Sequence, residues 1–495
     1  MAALGAAARN PSAPLSAYGR LPYLEDVALS PDGTRLAFVK TTDDTRDLYI
    51  VELSGKLLGG VGVGKTKLRG VMWQDNDNVL ALTSITSAPP FGFSGPVREW
   101  YEAVKYNIPK KALKPLRFEI TGERTLNVLA GRIDVRTIDG KSVVYVPGYY
   151  VSGRVLPALF SFRGDNEIAR IVTRGNEPLT HWLLDEAGRV AVELEYRDSQ
   201  KTWTIRASRD NHMVSIANGS APIDPPQLLG FDATGEQAIV EFMQDGEPVW
   251  RPISLKDGVL GLPLDQGSAL HGVIIDPRNG RIVGGVLNRD DRKYVFFDNE
   301  LQAHWDAILR AFPNDIVHLV SHSADFSKII LEVFGPEDGF QYAYFNWYTH
   351  EAHLLGSRYK DALQSGIYRC AVSVAGVADL PRMRSWSKNT QLGLATRYWD
   401  RFWGVTEHDD DALKAISPID HLQGVTAPIL LIHGRDDTVV PYDQSDAMLI
   451  ALKHAGKSVE MVTLKHEDHW LSSSETRLQM LQATVEFIRA HNPPD

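Results

Sequence analysis

Val27-Ala28-Leu29-Ser30-Pro31-Asp32-Gly33-Thr34-Arg35-Leu36-Ala37-Phe38-Val39, followed by Asp47-Leu48-Tyr49-Ile50-Val51-Glu52-Leu53, reads as three short strands, the first two joined by an Asp-Gly turn. Alternation with period 2 marks strands rather than helices, and Arg189-Val190-Ala191-Val192-Glu193-Leu194-Glu195 repeats it. The turn marker Asp32 returns as Asp75, Asp139, Asp185, Asp232, Asp276 and Asp325, at spacings of 43, 64, 46, 47, 44 and 49 residues. A repeat of roughly 40–50 residues with several strands per unit is the signature of a β-propeller. Seven markers predict seven blades over residues 21–355, behind an extension at 1–20. A β-sandwich or two stacked β domains is the competing reading, and the regular seven-fold count opposes it. The long second interval predicts a loop insertion around Pro89 to Pro96.

After Gly356 the periodicity becomes helical. Ser472-Ser473-Ser474-Glu475 reads as a capping box opening a helix with Leu478, Leu481, Val485 and Ile488 on one face. Pro441 to Ala455 predicts a second helix, stopped at Gly456. Short apolar runs at Cys370–Ala375, Ile429–Ile432 and Val459–Leu464 bracket these helices, a pattern of parallel strands with crossover connections. Residues 356–495 are thus expected to form an α/β domain.

Composition narrows the function classes. A formal net charge of −10 over 495 residues, with no basic run, opposes binding to a phosphate backbone, so nucleic acid is not expected as a partner. No apolar run reaches membrane-spanning length, and no membrane partner is expected. The lone cysteine, Cys370, excludes an intrachain disulfide framework. Met1 to Pro14 is Ala-rich but too weakly apolar for an intact signal peptide, and a clipped export signal would leave a similar remnant. Cytoplasm and periplasm both stay open.

Three motif matches lose on context. Gly59-Gly60-Val61-Gly62-Val63-Gly64-Lys65-Thr66 fits a phosphate loop by letter, yet such a loop must feed a helix. Leu68 to Leu82 is instead a β pattern interrupted by Asp75-Asn76-Asp77-Asn78, which makes the glycine run an inter-strand turn. His350-Glu351-Ala352-His353 and His466-Glu467-Asp468-His469 are one residue short of the i, i+4 histidine pair that zinc requires on one helix face. No metal and no cofactor is expected.

Asp437 follows the Ile429–Ile432 strand and His469 follows the Val459–Leu464 strand. If these strands are parallel neighbours, about 4.8 Å apart, both side chains leave the same sheet edge, where ligands of open α/β sheets gather. A carboxylate there can fix the imidazole tautomer and stabilise the imidazolium formed when the histidine takes a proton from a nucleophile. The chain order, Asp before His, is that of an α/β-hydrolase triad. The nucleophile is missing: no G-x-S-x-G occurs in the 495 residues.

His433-Gly434-x-x-Asp437-x-x-Val440-Pro441, Glu467-Asp468-His469-Trp470-Leu471-Ser472 and Tyr368-Arg369-Cys370-Ala371-Val372-Ser373-Val374-Ala375-Gly376 resemble the C-terminal half of a prolyl oligopeptidase-family catalytic domain. The resemblance is to acylaminoacyl-peptidase and dipeptidyl-aminopeptidase relatives. It implies a propeller capping a serine peptidase domain, cleavage of short peptides through an acyl-serine, His469 as general base and Asp437 as its orienting carboxylate. It also implies a long segment between the last blade and the Tyr368 strand. Here Leu355 to Ala362 runs almost directly into Leu363-Gln364-Ser365-Gly366-Ile367-Tyr368. The lost part amounts to about five strands with their helices, on the order of 150 residues at ~30 per βαβ unit. With it go the serine and the oxyanion hole.

Ser373 lies mid-strand, Ser365 precedes that strand and Ser357 sits at the propeller exit, so none occupies an elbow. Three readings follow. The first is a peptidase-lineage chain whose chemistry is lost or very low. The second is a non-catalytic propeller that binds a peptide or protein through aromatics such as Trp203, Trp250 and Trp347. The third is an internally deleted copy of an active enzyme. In each, the three retained strands leave the Cys370–Ala375 strand as an unpaired edge.

Overall fold

The computed structural model describes residues 21–491 apart from 43–44, 65, 90–96, 165–167, 211, 245–246, 265–269, 289–291, 313–314, 336–338, 350, 358–370, 391–409, 416, 423–424 and 426. The extension at 1–20, the loop around Pro89–Pro96, Cys370, Ser365, the Ser357 side chain and the Ala362 junction therefore fall wholly or largely outside the described residues.

Seven antiparallel sheets follow one another along the chain: β1–β4 (24–64), β5–β8 (67–115), β10–β13 (134–174) with β9 (Thr125–Leu126) added on β11, β14–β17 (179–220), β18–β20 (227–254), β21–β23 (270–296) and β24–β27 (316–357). They are the blades of a seven-bladed propeller. Every marker aspartate lies in the first hairpin of its blade. Six of the seven accept a nearby backbone N–H: Asp32 from Thr34, Asp75 from Asp77, Asp185 from Arg189, Asp232 from Gly235, Asp276 from Arg278 and Asp325 from Ser327. Asp139 works differently. It and Gly140 both take positive φ (51° and 71°), the pair of conformations that a two-residue hairpin loop demands.

Period-2 alternation explains how the blades stack. In β11 (Lys141–Ser152), Val143 and Tyr145 pack towards Leu184 of the fourth blade, while Val144 and Val146 pack towards Leu80 and Ala103 of the second. In the first blade, Leu36 joins Ile330 and Tyr342 of the seventh, and Ala37 and Val39 join Trp73 and Val79 of the second. Each junction between consecutive blades thus holds its own apolar cluster, and the ring closes through the seventh. Among the described residues no strand is exchanged at that closure. Polar links accompany the packing there, with Leu29 N donating to Ser321 Oγ at 3.0 Å and Ala324 N to the Pro31 carbonyl at 2.8 Å.

Three expectations need correction. The Gly59–Gly64 run is not a turn: it lies in β4 (Leu57–Gly64), the outer strand of the first blade, and β5 (Lys67–Asp75) follows with no helix. The surplus of the long second interval lies in part in 116–133, between β8 and β10, and the insertion expected around Pro89–Pro96 lies largely outside the described residues. Finally, a helix α1 (Asn299–Ala311) follows β23 where a fourth strand would stand. Asp298 caps it by accepting from the N–H groups of Glu300 and Leu301, and Trp305 and Ile308 fill the core between the last two blades. The signal was present in Leu301, Trp305 and Ile308 at helical spacing, within a region that otherwise counts as strands.

The second domain is a three-stranded parallel sheet among the described residues, in the order β28 (Ala371–Val374), β29 (Ile429–Gly434), β30 (Val459–Leu464). Helix α2 (Leu380–Thr390) follows β28, and the sheet is sandwiched between α3 (Asp443–His454) and α4 (Ser474–His491). Leu430, Ile432 and Leu464 face α4, whereas Leu431 and Met461 face Leu452 of α3. Gly456, at φ +64°, ends α3. The buried face of α4 differs from the expected stripe: Thr476, Met480, Ala483 and Phe487 contact or approach the sheet, and the Leu478, Leu481, Val485, Ile488 side is only half-buried. The two rows lie on opposite sides of the helix, so hydropathy could not choose between them.

Candidate active site

β29 ends at Gly434, where the loops after β29 and β30 meet. A Cβ at 434 would overlap the Glu467 carbonyl, which accepts the N–H of Asp436 at 3.0 Å. This close approach carries Asp437 to His469: the imidazole Nδ1 lies 2.8 Å from Asp437 Oδ2. Asp437 Oδ1 accepts from the N–H groups of Val439 and Val440, each at 2.8 Å. Fully buried His433 lies 3.3 Å from Oδ2 through Nε2, which also meets the Val440 carbonyl at 2.9 Å, while its Nδ1 meets Ser445 Oγ at 2.7 Å. With two acceptors at Nε2, His433 carries its proton there and receives the Ser445 hydroxyl at Nδ1.

Burial pushes the Asp437 carboxyl upward. Hydrogen bonds from His433, Val440, His469 and Val439 outweigh that effect and hold it below the usual carboxylate range, so it is a carboxylate. Donation of Nδ1–H to that carboxylate leaves the His469 Nε2 lone pair free to accept a proton, with the resulting imidazolium beside a buried negative charge. The His469 side chain keeps 32 % of its surface exposed, so an incoming group can reach it.

The loop holding His469 is built by its neighbours. Buried Glu467 accepts from the N–H groups of Asp468, Ser472 and Ser473 at 2.9, 2.7 and 3.2 Å, and from the Thr476 hydroxyl. Glu467 thus supplies the start of α4 with the acceptor that the expected Ser472–Glu475 box would have provided. On the other side the propeller intervenes. Lys67 Nζ and an Arg69 guanidinium nitrogen, both on β5, lie 2.6 and 3.3 Å from Asp468 Oδ2, and Glu99 on β7 (Arg98–Asn107) pairs with the same cations at 3.6 and 3.1 Å. The Arg69 guanidinium also stacks 4.8 Å from the Trp470 ring centre. Burial raises the Asp468 carboxyl, and Lys67, Ser472 and the Trp470 N–H more than reverse it.

Sequence reasoning singled out Asp437 and His469, which the fold brings together. It missed His433 and Glu467 as supports, although both stand within the quoted motifs. It could not have found Lys67, Arg69 and Glu99, because Arg69 and Asp468 are 399 positions apart. Trp203, Trp250 and Trp347, offered as ligand-binding aromatics, are all buried within the blades, and Trp250 borders a cavity of about 390 Å3. Ser373 lies half-buried in β28. Of the near-zinc motifs, Glu351 and His353 lie in β27 (Glu351–Ser357) with His350 outside the described residues, and the His466 ring is 93 % exposed on a loop. Among the described residues, no group of three or more His, Cys, Asp or Glu side chains is placed to hold a metal ion.

Comparison with known proteins gives consistent results. Residues 362–492 match the prolyl oligopeptidase family. A stretch of 64 residues is 34 % identical to the uncharacterized peptidase YuxL of Bacillus subtilis (strain 168), covering 13 % of this chain and 10 % of that protein. The chain therefore spans about a tenth of the length of the curated relative it matches. Among solved structures, a puromycin-hydrolyzing peptidase of Mycobacterium tuberculosis superposes with a TM-score of 0.62 at 11 % identity, over 97 % of both chains. Pyrococcus horikoshii acylaminoacyl peptidase gives 0.55 at 11 % identity over 97 % of this chain and 98 % of that one. Dipeptidyl peptidase 4 of Porphyromonas gingivalis gives 0.52 at 10 %, over 95 % and 97 %. At these identities the superpositions establish fold. Residues 362–492 match the prolyl oligopeptidase family, and with the seven-bladed propeller before them the chain has the propeller-plus-hydrolase fold of these structures.

Proposed function

We propose that the chain is a serine-peptidase relative acting on short peptides, divided into a propeller over 21–355 and a peptidase-type domain over 356–495. His469 is its general base and Asp437 the carboxylate that orients it. Hydrolysis is lost or very low, because no G-x-S-x-G serine is present to be activated. The observation that carries the reading is the 2.8 Å contact between His469 Nδ1 and the buried Asp437 carboxylate, at one edge of a parallel sheet. A nucleophile and its oxyanion donors account for several orders of magnitude in rate, which an Asp–His pair does not replace.

The missing elbow also favours a second reading, a non-catalytic propeller that binds a peptide and does not turn it over. Labelling with a fluorophosphonate probe tests the loss of chemistry that both readings share, using purified protein whose 495-residue length is verified by intact mass. The expected result is no labelling in either the wild type or His469→Ala. Labelling that depends on His469 would show that another serine completes the site and would overturn the inactive reading.

A further inference from the structure

Blade 2 carries a cation whose buried Nε finds no acceptor among the described residues. It is Arg98, the first residue of β7. A buried donor left unpaired costs about 1–3 kcal/mol, and more when charged, so native proteins rarely keep one without a use. The nearest carboxylate in sequence, Glu99, is already committed to Ser84, Thr86, Lys67 and Arg69. Arg132 is paired with Asp134 at 2.9 Å. Burial lowers the Arg98 guanidinium from its ordinary value and raises the Tyr149 phenol near it, so Tyr149 is neutral at physiological pH and provides no counter-charge.

Arg98 lines a cavity of about 900 Å3 between the second and third blades. Trp100, Leu126, Leu129, Tyr149 and Val155 form much of its wall. The size is that of a small-ligand site, and a mostly apolar wall with a few charged groups is the usual composition of one; besides Arg98 these are Arg69, Glu99 and Arg132, each already paired. Arg69 and Glu99 also border the cavity, and both belong to the ion-pair network that holds Asp468, next to His469. The cavity therefore adjoins the candidate active site from the propeller side.

We propose that this cavity binds the terminal carboxylate of a short apolar peptide, with Arg98 as the recognising residue and the aromatic wall taking the last side chain. The inference rests on the reading of the chain as a peptide-handling protein and names the class of peptide. A planar guanidinium pairs with a carboxylate through two parallel hydrogen bonds, which a carbonyl or an amide cannot reproduce. A chain end fits better than an internal Asp or Glu. An internal residue would drag backbone amides on both sides into an apolar cavity that offers them few partners.

The test is isothermal titration of the full chain with acetyl-Leu-Phe as the free acid and as its C-terminal amide. Wild type is expected to bind the acid about tenfold or more tightly than the amide, and His469→Ala to keep that ratio. Arg98→Met should bring the ratio to about one. Equal affinity of the two probes for wild type, no detectable binding of either, or a preference that survives in Arg98→Met would each overturn the proposal. Thermal unfolding of each variant verifies the fold. Should Arg98→Met fail to fold, Arg98→Lys decides, because it keeps the charge without the fork: a ratio cut severalfold supports the assignment and an unchanged ratio overturns it. Turnover is not needed for this measurement. Fluorophosphonate labelling can therefore contradict the inactive-peptidase reading while the acid preference stands, or the reverse.

Discussion

In the propeller, both faces of every sheet are covered, because the blade before and the blade after each contribute half of a closed set of apolar clusters. The hydrolase-type sheet is covered by helices on two sides, yet only its middle strand is fully engaged. β29 is buried along almost its whole length, whereas β28, hydrogen-bonded on one side among the described residues, exposes Ala371 and Val374. The two domains share a strand chemistry and differ in closure. A ring needs no outside partner, while an open sheet with an apolar edge strand relies on what lies beside it. Here the visible support includes the propeller itself, through Lys67 and Arg69 on Asp468.

Three perturbations test that contrast. Ile432 is fully buried beneath α4, and Ile432→Ala should cost the smaller domain about 2–5 kcal/mol, read as loss of amide protection in β29 and β30 while the blades keep theirs. A simultaneous loss in the blades would break the comparison by showing one cooperative unit. Next in size, Asp468→Asn leaves Lys67 and Arg69 sharing Glu99 alone. The cations keep about a fifth of their surface exposed, so the cost belongs at the lower end of that for a broken buried pair, about 3 kcal/mol. Protease sensitivity of the 466–472 loop should rise with it. If that loop stays protected, the propeller is not what positions it.

The smallest effect is a pH signature of the same contact. Asp468 is held below the usual carboxylate range, so the unfolded chain takes up the proton at higher pH than the folded one. Its contribution is complete above the unfolded value of about 3.9 and is lost as pH falls through the lower folded value. The stability difference between wild type and Asp468→Asn should therefore be constant from neutral pH to about pH 4 and shrink below it. A difference that persisted in acid would assign the effect to shape rather than charge.

What could be read in advance was whatever repeats or sits close in sequence. Seven aspartates at blade-length intervals carried the propeller, and two strand-end residues, Asp437 and His469, carried the site, because turn chemistry and strand polarity are local properties. The supports within one loop, His433 and Glu467, were visible as letters, and their roles depended on which atoms the fold turned towards Asp437 and the start of α4. The helix α1 was hidden by the expectation of a further strand, and the buried face of the expected helix α4 by its having two apolar sides of which the sheet chose one. The sequence alone determined the blade count, the parallel strands, the absence of a G-x-S-x-G motif and the two residues, Asp437 and His469, that the fold pairs. The tertiary structure alone decided that blade 2 holds the histidine loop and that Arg98, its buried Nε unpaired among the described residues, lines a cavity beside it. The first joins side chains from opposite ends of the chain and the second joins two blades, and spacing carries no record of such meetings.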